Sequence, residues 1–205
     1  MDLLEFTKAY SGFMELFDYC ERTSDQLWAE PLNALSNIAF LICALFAFRL
    51  ARRLQVRDWL MDLLIWLVVA MAVGSFLWHT TASLWAELTD VAPILLFLLS
   101  YCWMYSRREV GLSRSQSIVA VIGVLAFAVV AGIVPRVLYG SLGFTPALFT
   151  LGFLAFYHAY NRKRKRWALI GATLVLSLSL VLRALDFQLC ESFPYGTHWL
   201  WHISN

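Results

Sequence analysis

Two histidines in the segment HWLWH, His198 and His202, stand four residues apart, and a third, His79, closes the segment GSFLWH. Residues four apart share one face of a helix. His198 and His202 can therefore chelate one ion, much as paired helical histidines do in zinc proteases. Three imidazoles with an open fourth position suit a catalytic zinc. Ser75 lies one turn before His79, and Asp90 follows eleven residues after it. A carboxylate beside a zinc-activated water can take up a proton and return it, and a serine hydroxyl can donate to a developing oxyanion. Blander roles exist for each: interfacial or merely hydrogen-bonded histidines, an aspartate helix cap and a serine bonded back to its own helix.

These residues need elements that bring them together, and composition restricts what those are. Of the 205 residues, 60% are hydrophobic and 15% charged, more apolar surface than a water-soluble domain of this size can hide, so lipid must be the solvent for much of it. A net charge of +2, with its basic residues clustered beside apolar runs, leaves no nucleic-acid footprint. The start, MDLLEFTKAY, lacks the basic stretch and short apolar core of a cleaved signal peptide. Apolar runs near Leu32–Leu50, Trp59–Trp78, Val91–Tyr105, Ser117–Val134, Phe144–Tyr160 and Trp167–Leu182 predict six spans. Without a barrel alternation the spans must be helices, because backbone polar groups in hydrocarbon are paired internally. A seventh helix starts at THWLWHISN, but from His198 the chain supplies only about 12 Å of it at about 1.5 Å per residue. The expected fold is an all-α membrane protein, a seven-helix transmembrane bundle with the seventh helix cut short at Asn205. It forms one domain over residues 1–205, opening with an acidic segment over 1–30.

Orientation follows from Lys and Arg, which accumulate in short cytoplasmic loops. Twelve of the sixteen lie in the first, third and fifth loops: Arg49, Arg52, Arg53 and Arg57; Arg107, Arg108 and Arg114; and Arg162 to Arg166. Lys8, Arg22, Arg136 and Arg183 lie on the other side. The run NRKRKR is read as a topology anchor rather than a nuclear signal or lipid-binding patch. The N-terminus is thus expected on the non-cytoplasmic side, and Ser75, His79, Asp90, His198 and His202 all emerge there at the ends of their helices. Compact loops favour a bacterial inner membrane over an endoplasmic reticulum or Golgi membrane. Cys20 and Cys190 share the outer side, where oxidation is permitted, and are either bonded or two free thiols. His158 falls at the opposite end beside Asn161 and is expected at the interface. Asp18, Glu21, Asp25 and Glu30 crowd the segment before the first span, either as oxygen ligands for a hard cation or as a solvated acidic loop.

The segments DYCE, WAEPLNALSN, SFLWH with Asp90 beyond it, and HWLWH resemble those of the alkaline ceramidases, within a superfamily that includes the adiponectin receptors. The resemblance runs from Asp18 to His202. It implies a seven-helix bundle holding zinc (Zn2+) on His79, His198 and His202 and hydrolysing the amide of ceramide to a sphingoid base and a fatty acid. It also implies Asp90 as general base and then acid, Ser75 steadying the oxyanion, and lateral entry of the lipid from the bilayer. A calcium (Ca2+) site is implied on Asp18, Tyr19, Glu21, Thr23 and Glu30, with Tyr19 through its carbonyl, and so is a Cys20–Cys190 disulfide. The chain departs from the family pattern at Thr23, where the family has Asn, and in a segment to Glu30 that is two residues shorter.

Other readings remain beside this one: a receptor-like protein with structural zinc, a lipid esterase or phospholipase of the same superfamily, and a transporter. A transporter of the inverted-repeat kind calls for related halves and broken helices at mid-membrane, whereas the polar residues here gather at one rim. A structural zinc site is usually closed by four protein ligands, and only three histidines, with no cysteine near them, are in view. No protein partner is implied.

Overall fold

The computed structural model describes residues 19–133, 140–164 and 166–205; Lys8, Asp18, Val134, Arg136 and Lys165 of the sequence reading lie outside them. The described residues are helical without strands. In chain order the helices are α1 (Pro31–Ser36), α2 (Ile38–Arg53), α3 (Trp59–Thr81), α4 (Leu84–Tyr105), α5 (Arg114–Ile133), α6 (Thr145–Tyr160), α7 (Arg166–Leu185) and the short α8 (His198–Ser204). Six stretches, α1 and α2 counting as one, are long and apolar enough to cross a membrane. Only 6–39% of each span is buried inside the protein. The outward apolar remainder is far larger than a water-facing surface carries, and the chain is an integral membrane protein.

The spans match the hydropathy runs except at the third. The helix there begins at Leu84, seven residues before the expected Val91, so Asp90 lies inside α4 rather than at its start. Glu87, Asp90 and Pro93 mask the first turns in a hydropathy window, yet Asp90 faces into the bundle and Pro93 is accommodated within the helix. Proline cannot donate to the carbonyl four residues earlier, here that of Thr89. Gly74 of α3 lies against that carbonyl. A Cβ on Gly74 would overlap the Thr89 carbonyl and come within 2.9 Å of the Asp90 nitrogen. The missing side chain lets α3 and α4 approach where Ser75 and Asp90 stand. Gly74→Ala is accordingly expected to lower stability by about 1–3 kcal/mol, the usual cost of overpacking, and to displace Asp90. A thermal midpoint in detergent, taken beside a Gly171→Ala control where a Cβ meets nothing, checks it; equal midpoints would refute the close-approach argument.

At one end the arginine-rich loops are tied together. Arg108 pairs with Asp58 at 2.6 Å, Arg57 with Asp62 at 2.7 Å, and Lys163 donates to the Glu109 carbonyl. Such exposed pairs contribute little individually. Asp58 also caps α3, accepting from the N–H groups of Leu60 and Met61 at 3.0 Å each.

At the opposite end Cys20 and Cys190 are disulfide-bonded across 170 residues of sequence. The bond fastens the segment before α1 to the loop between α7 and α8. Closing so long a loop constrains the unfolded chain strongly, and Cys20→Ser with Cys190→Ser is expected to cost about 2–5 kcal/mol. Thermal unfolding with and without reductant should show a drop for the native chain and none for the double variant.

Candidate metal centre and lipid cavity

Two helices place the three histidines. His79 stands one turn from the end of α3, and His198 and His202 occupy successive turns of α8. All three are at most 3% exposed. Their ring centroids lie 4.6–5.0 Å apart, and one ligand atom from each falls within 4.8 Å of the others. No other group of His, Cys, Asp and Glu among the described residues meets the same test, and Asp90 is not part of this one.

The placement of each histidine has a cause in a neighbouring element. His79 Nδ1 is 2.5 Å from Glu30 Oε2, which leaves Nε2 buried without a hydrogen-bond partner. His202 Nδ1 is 2.7 Å from the Ser36 hydroxyl at the end of α1. His198 is held from below by Asp186, whose Oδ1 accepts from the N–H groups of Thr197 (2.5 Å) and His198 (2.7 Å) while its Oδ2 accepts from that of Cys20 (3.0 Å). One carboxylate thus caps α8 and joins it to the N-terminal segment. Gly196, at φ +59°, makes room for it: a Cβ there would collide with the Asp186 carboxylate. His198 Nδ1 is also buried without a partner. Unpartnered buried nitrogens on converging histidines are what a metal ion would satisfy, and an imidazole whose second nitrogen rests on a carboxylate is the usual state of a metal ligand. The donor set fits zinc.

Ser75 and Asp90 lie beside this cluster. Ser75 is buried and Asp90 half-buried, and the Ser75 hydroxyl is directed at the Asp90 carboxyl. Both line a cavity of about 510 Å³ whose walls include His198 and His202 and which continues down the bundle past Phe97 to Tyr101. From Asp90 to Tyr101 is about 16 Å along α4 at about 1.5 Å per residue. A second cavity, of about 400 Å³, extends between α4, α5 and α6 and is lined by Val91, Leu95 and Val129. The two share the polar Tyr19, Asp90 and Arg183 and the apolar Ile94, Leu98, Phe144 and Ala147. They adjoin along this common wall, and each is lined mostly by apolar side chains.

The residues implied as calcium ligands are placed differently from one another. Asp18 lies outside the described residues. Thr23 is exposed. Tyr19 is buried with its ring against His198, centroids 4.0 Å apart. Both Glu21 carboxylate oxygens accept backbone N–H groups at the start of α1, Leu32 at 2.6 Å and Asn33 at 2.8 Å. Glu30 accepts from Arg22 through one oxygen and from Asn33 at 3.0 Å through the other, which also meets His79. Burial pushes the Glu30 carboxyl up, but His79 and Arg22 outweigh it and hold it below its ordinary value of 4.5. A donor set already committed to N–H groups and a guanidinium is a poor match for a divalent ion.

Several site residues carried no readable signal in the sequence. Asp186 is a single acid at the end of an apolar run, Ser36 an unremarkable serine, and Arg183 a cation at a helix end. Arg183 in the structure reaches the Tyr19 hydroxyl at 3.5 Å and packs its guanidinium over Phe144 at 4.9 Å. His158, expected at the interface, is buried inside the opposite end of the bundle, its ring 5.4 Å from that of Tyr105.

Neither the curated proteins nor the solved structures compared with the chain include a match. A family model described as Ceramidase matches residues 16–204, from the segment before α1 through the end of α8. With a match over almost its whole length, the chain belongs to the ceramidase family, hydrolases acting on the amide bond of ceramide.

Proposed function

We propose that this protein is a zinc-dependent intramembrane hydrolase that cleaves the amide bond of ceramide-type lipids, with His79, His198 and His202 holding the metal. The observation that supports it best is the pair of adjoining apolar cavities whose common wall includes Asp90, the larger also lined by His198 and His202. A two-chain lipid whose amide sits beside Asp90 can extend one chain into each cavity. Zinc held by the three histidines supplies Lewis-acid activation of water at neutral pH.

The chain's own residues do the rest. Asp90 accepts the proton that the attacking water loses as its oxygen bonds to the amide carbon. Ser75 donates a hydrogen bond to the amide oxygen as that atom gains charge. Asp90 then returns the proton to the amine nitrogen as the C–N bond breaks, releasing a sphingoid base and a fatty acid. Glu30, Ser36 and Asp186 keep the histidines oriented throughout.

Topology is part of the same reading: a seven-helix bundle with α8 as its seventh element, the arginine-rich loops cytoplasmic, and the metal site and N-terminus outside. The Cys20–Cys190 disulfide at the histidine end supports that orientation, since such bonds persist in oxidising compartments. A bacterial inner membrane remains the preferred location.

The test is to incubate the detergent-purified chain with ceramides of graded acyl length and with single-chain and ester lipids, and to measure released sphingoid base and fatty acid. Release from two-chain amides, abolished by stripping the metal, is the expected result. Turnover confined to ester lipids would replace the reading with a phospholipase-like one.

A further inference from the structure

We propose that Arg22 is the built-in cation of the acidic segment before α1, taking the place of a calcium ion and holding Glu30 against His79. Its side chain is 1% exposed. Nε donates to Glu30 Oε1, one Nη to the His79 carbonyl at 3.0 Å, and the other reaches the Ser24 carbonyl at 3.5 Å. One carboxylate and two backbone carbonyls are the oxygen types that a bound calcium ion collects. Here a planar guanidinium with five fixed donors collects them.

Three consequences follow from that placement. A divalent ion at Glu30 would have to sit beside a fixed positive charge, out of reach of the water that screens such repulsion elsewhere. Glu21, the other described acid of the implied calcium set that is buried, already has each oxygen bound to a backbone N–H. And because Arg22 grips both the Glu30 carboxylate and the carbonyl of His79 itself, it fixes the distance between the carboxylate and the ring that the carboxylate orients. Arg22 is therefore a positioning residue that acts through Glu30. Without it, a carboxylate only 2% exposed would keep His79 and Asn33 as partners but lose its counter-charge, a strongly unfavourable state for a buried ion. The effect on zinc rests on the zinc-hydrolase reading; the effect on calcium does not.

Three measurements on the full chain test this. Equilibrium dialysis of the native protein with radioactive calcium, and its thermal midpoint with and without millimolar calcium, should show no stoichiometric binding and no shift. One calcium bound per chain with a raised midpoint would overturn the proposal, whatever the zinc content. Arg22→Gln should lower the midpoint and weaken zinc retention against a competing chelator by about tenfold, the low end of the usual loss when a ligand's supporting partner is removed. Calcium added to that variant should raise its midpoint towards the native value, a rescue that a merely structural side chain would not allow. An Arg22→Gln protein with native midpoint and native zinc retention would overturn the proposal. If that variant does not fold, Arg22→Lys, which keeps the charge and loses the fork, takes its place beside the native calcium measurement. A native chain that holds no zinc at all would sink the hydrolase reading and leave the calcium result standing.

Discussion

His79→Ala is expected to remove bound zinc and to reduce ceramide hydrolysis by about ten-thousandfold or more, since without the metal nothing lowers the pKa of the attacking water towards neutrality. Geometry makes the loss specific. The Nε2 atom that the variant deletes is buried without any other partner, and His79 offers a ligand atom within 4.8 Å of those of His198 and His202. The variant also strips Glu30 of one of its contacts, so a fall in stability is expected alongside. His198→Ala separates the two effects: it deletes a member of the histidine cluster and leaves the Glu30, Arg22 and His79 chain untouched. Metal content by plasma emission, measured on the same samples as turnover, should fall in both variants. A zinc-free variant that turns over ceramide at the native rate would end the metal reading.

Asp90→Asn is expected to lower kcat by about 10²–10⁴-fold, the usual range for a positioned proton-transfer group, with zinc content and fold unchanged. Asparagine fills the same space between Ser75 and the cavity, so Gly74 and Thr89 need not move. What it cannot do is accept the proton of the attacking water. The limb of the pH–rate profile that reports the general base should vanish in the variant, while the native enzyme keeps it. Loss of zinc together with activity would instead make Asp90 a fourth ligand, which closes the open position and favours a structural metal.

How much of this was legible beforehand differs from residue to residue. The six spans were, because hydrophobic length is a local property of the chain and lipid enforces it. The pairing of His198 with His202, and of Ser75 with His79, was legible too, because a spacing of four fixes a shared helix face. Alternating direction of successive spans then brings the ends of α3 and α8 to one rim without knowledge of any contact. The start of α4 was not legible, since Glu87, Asp90 and Pro93 oppose a membrane helix in any window average, and the cavities that Glu87 and Asp90 line exist only in the folded chain.

The sequence by itself therefore determined the class of protein and its spans, and it singled out the histidines, the serine and the aspartate that the fold brings together. Tertiary structure alone decided what holds that set in place. Glu30 meets His79 across 49 residues, Arg22 meets the His79 carbonyl across 57, and Asp186 meets Cys20 across 166. Periodicity records which face of a helix is apolar; it carries no record of which buried carboxylate faces which partner on another element. An acid such as Glu30 reads the same whether a divalent ion, an imidazole or a guanidinium stands opposite, and only packing chooses among them.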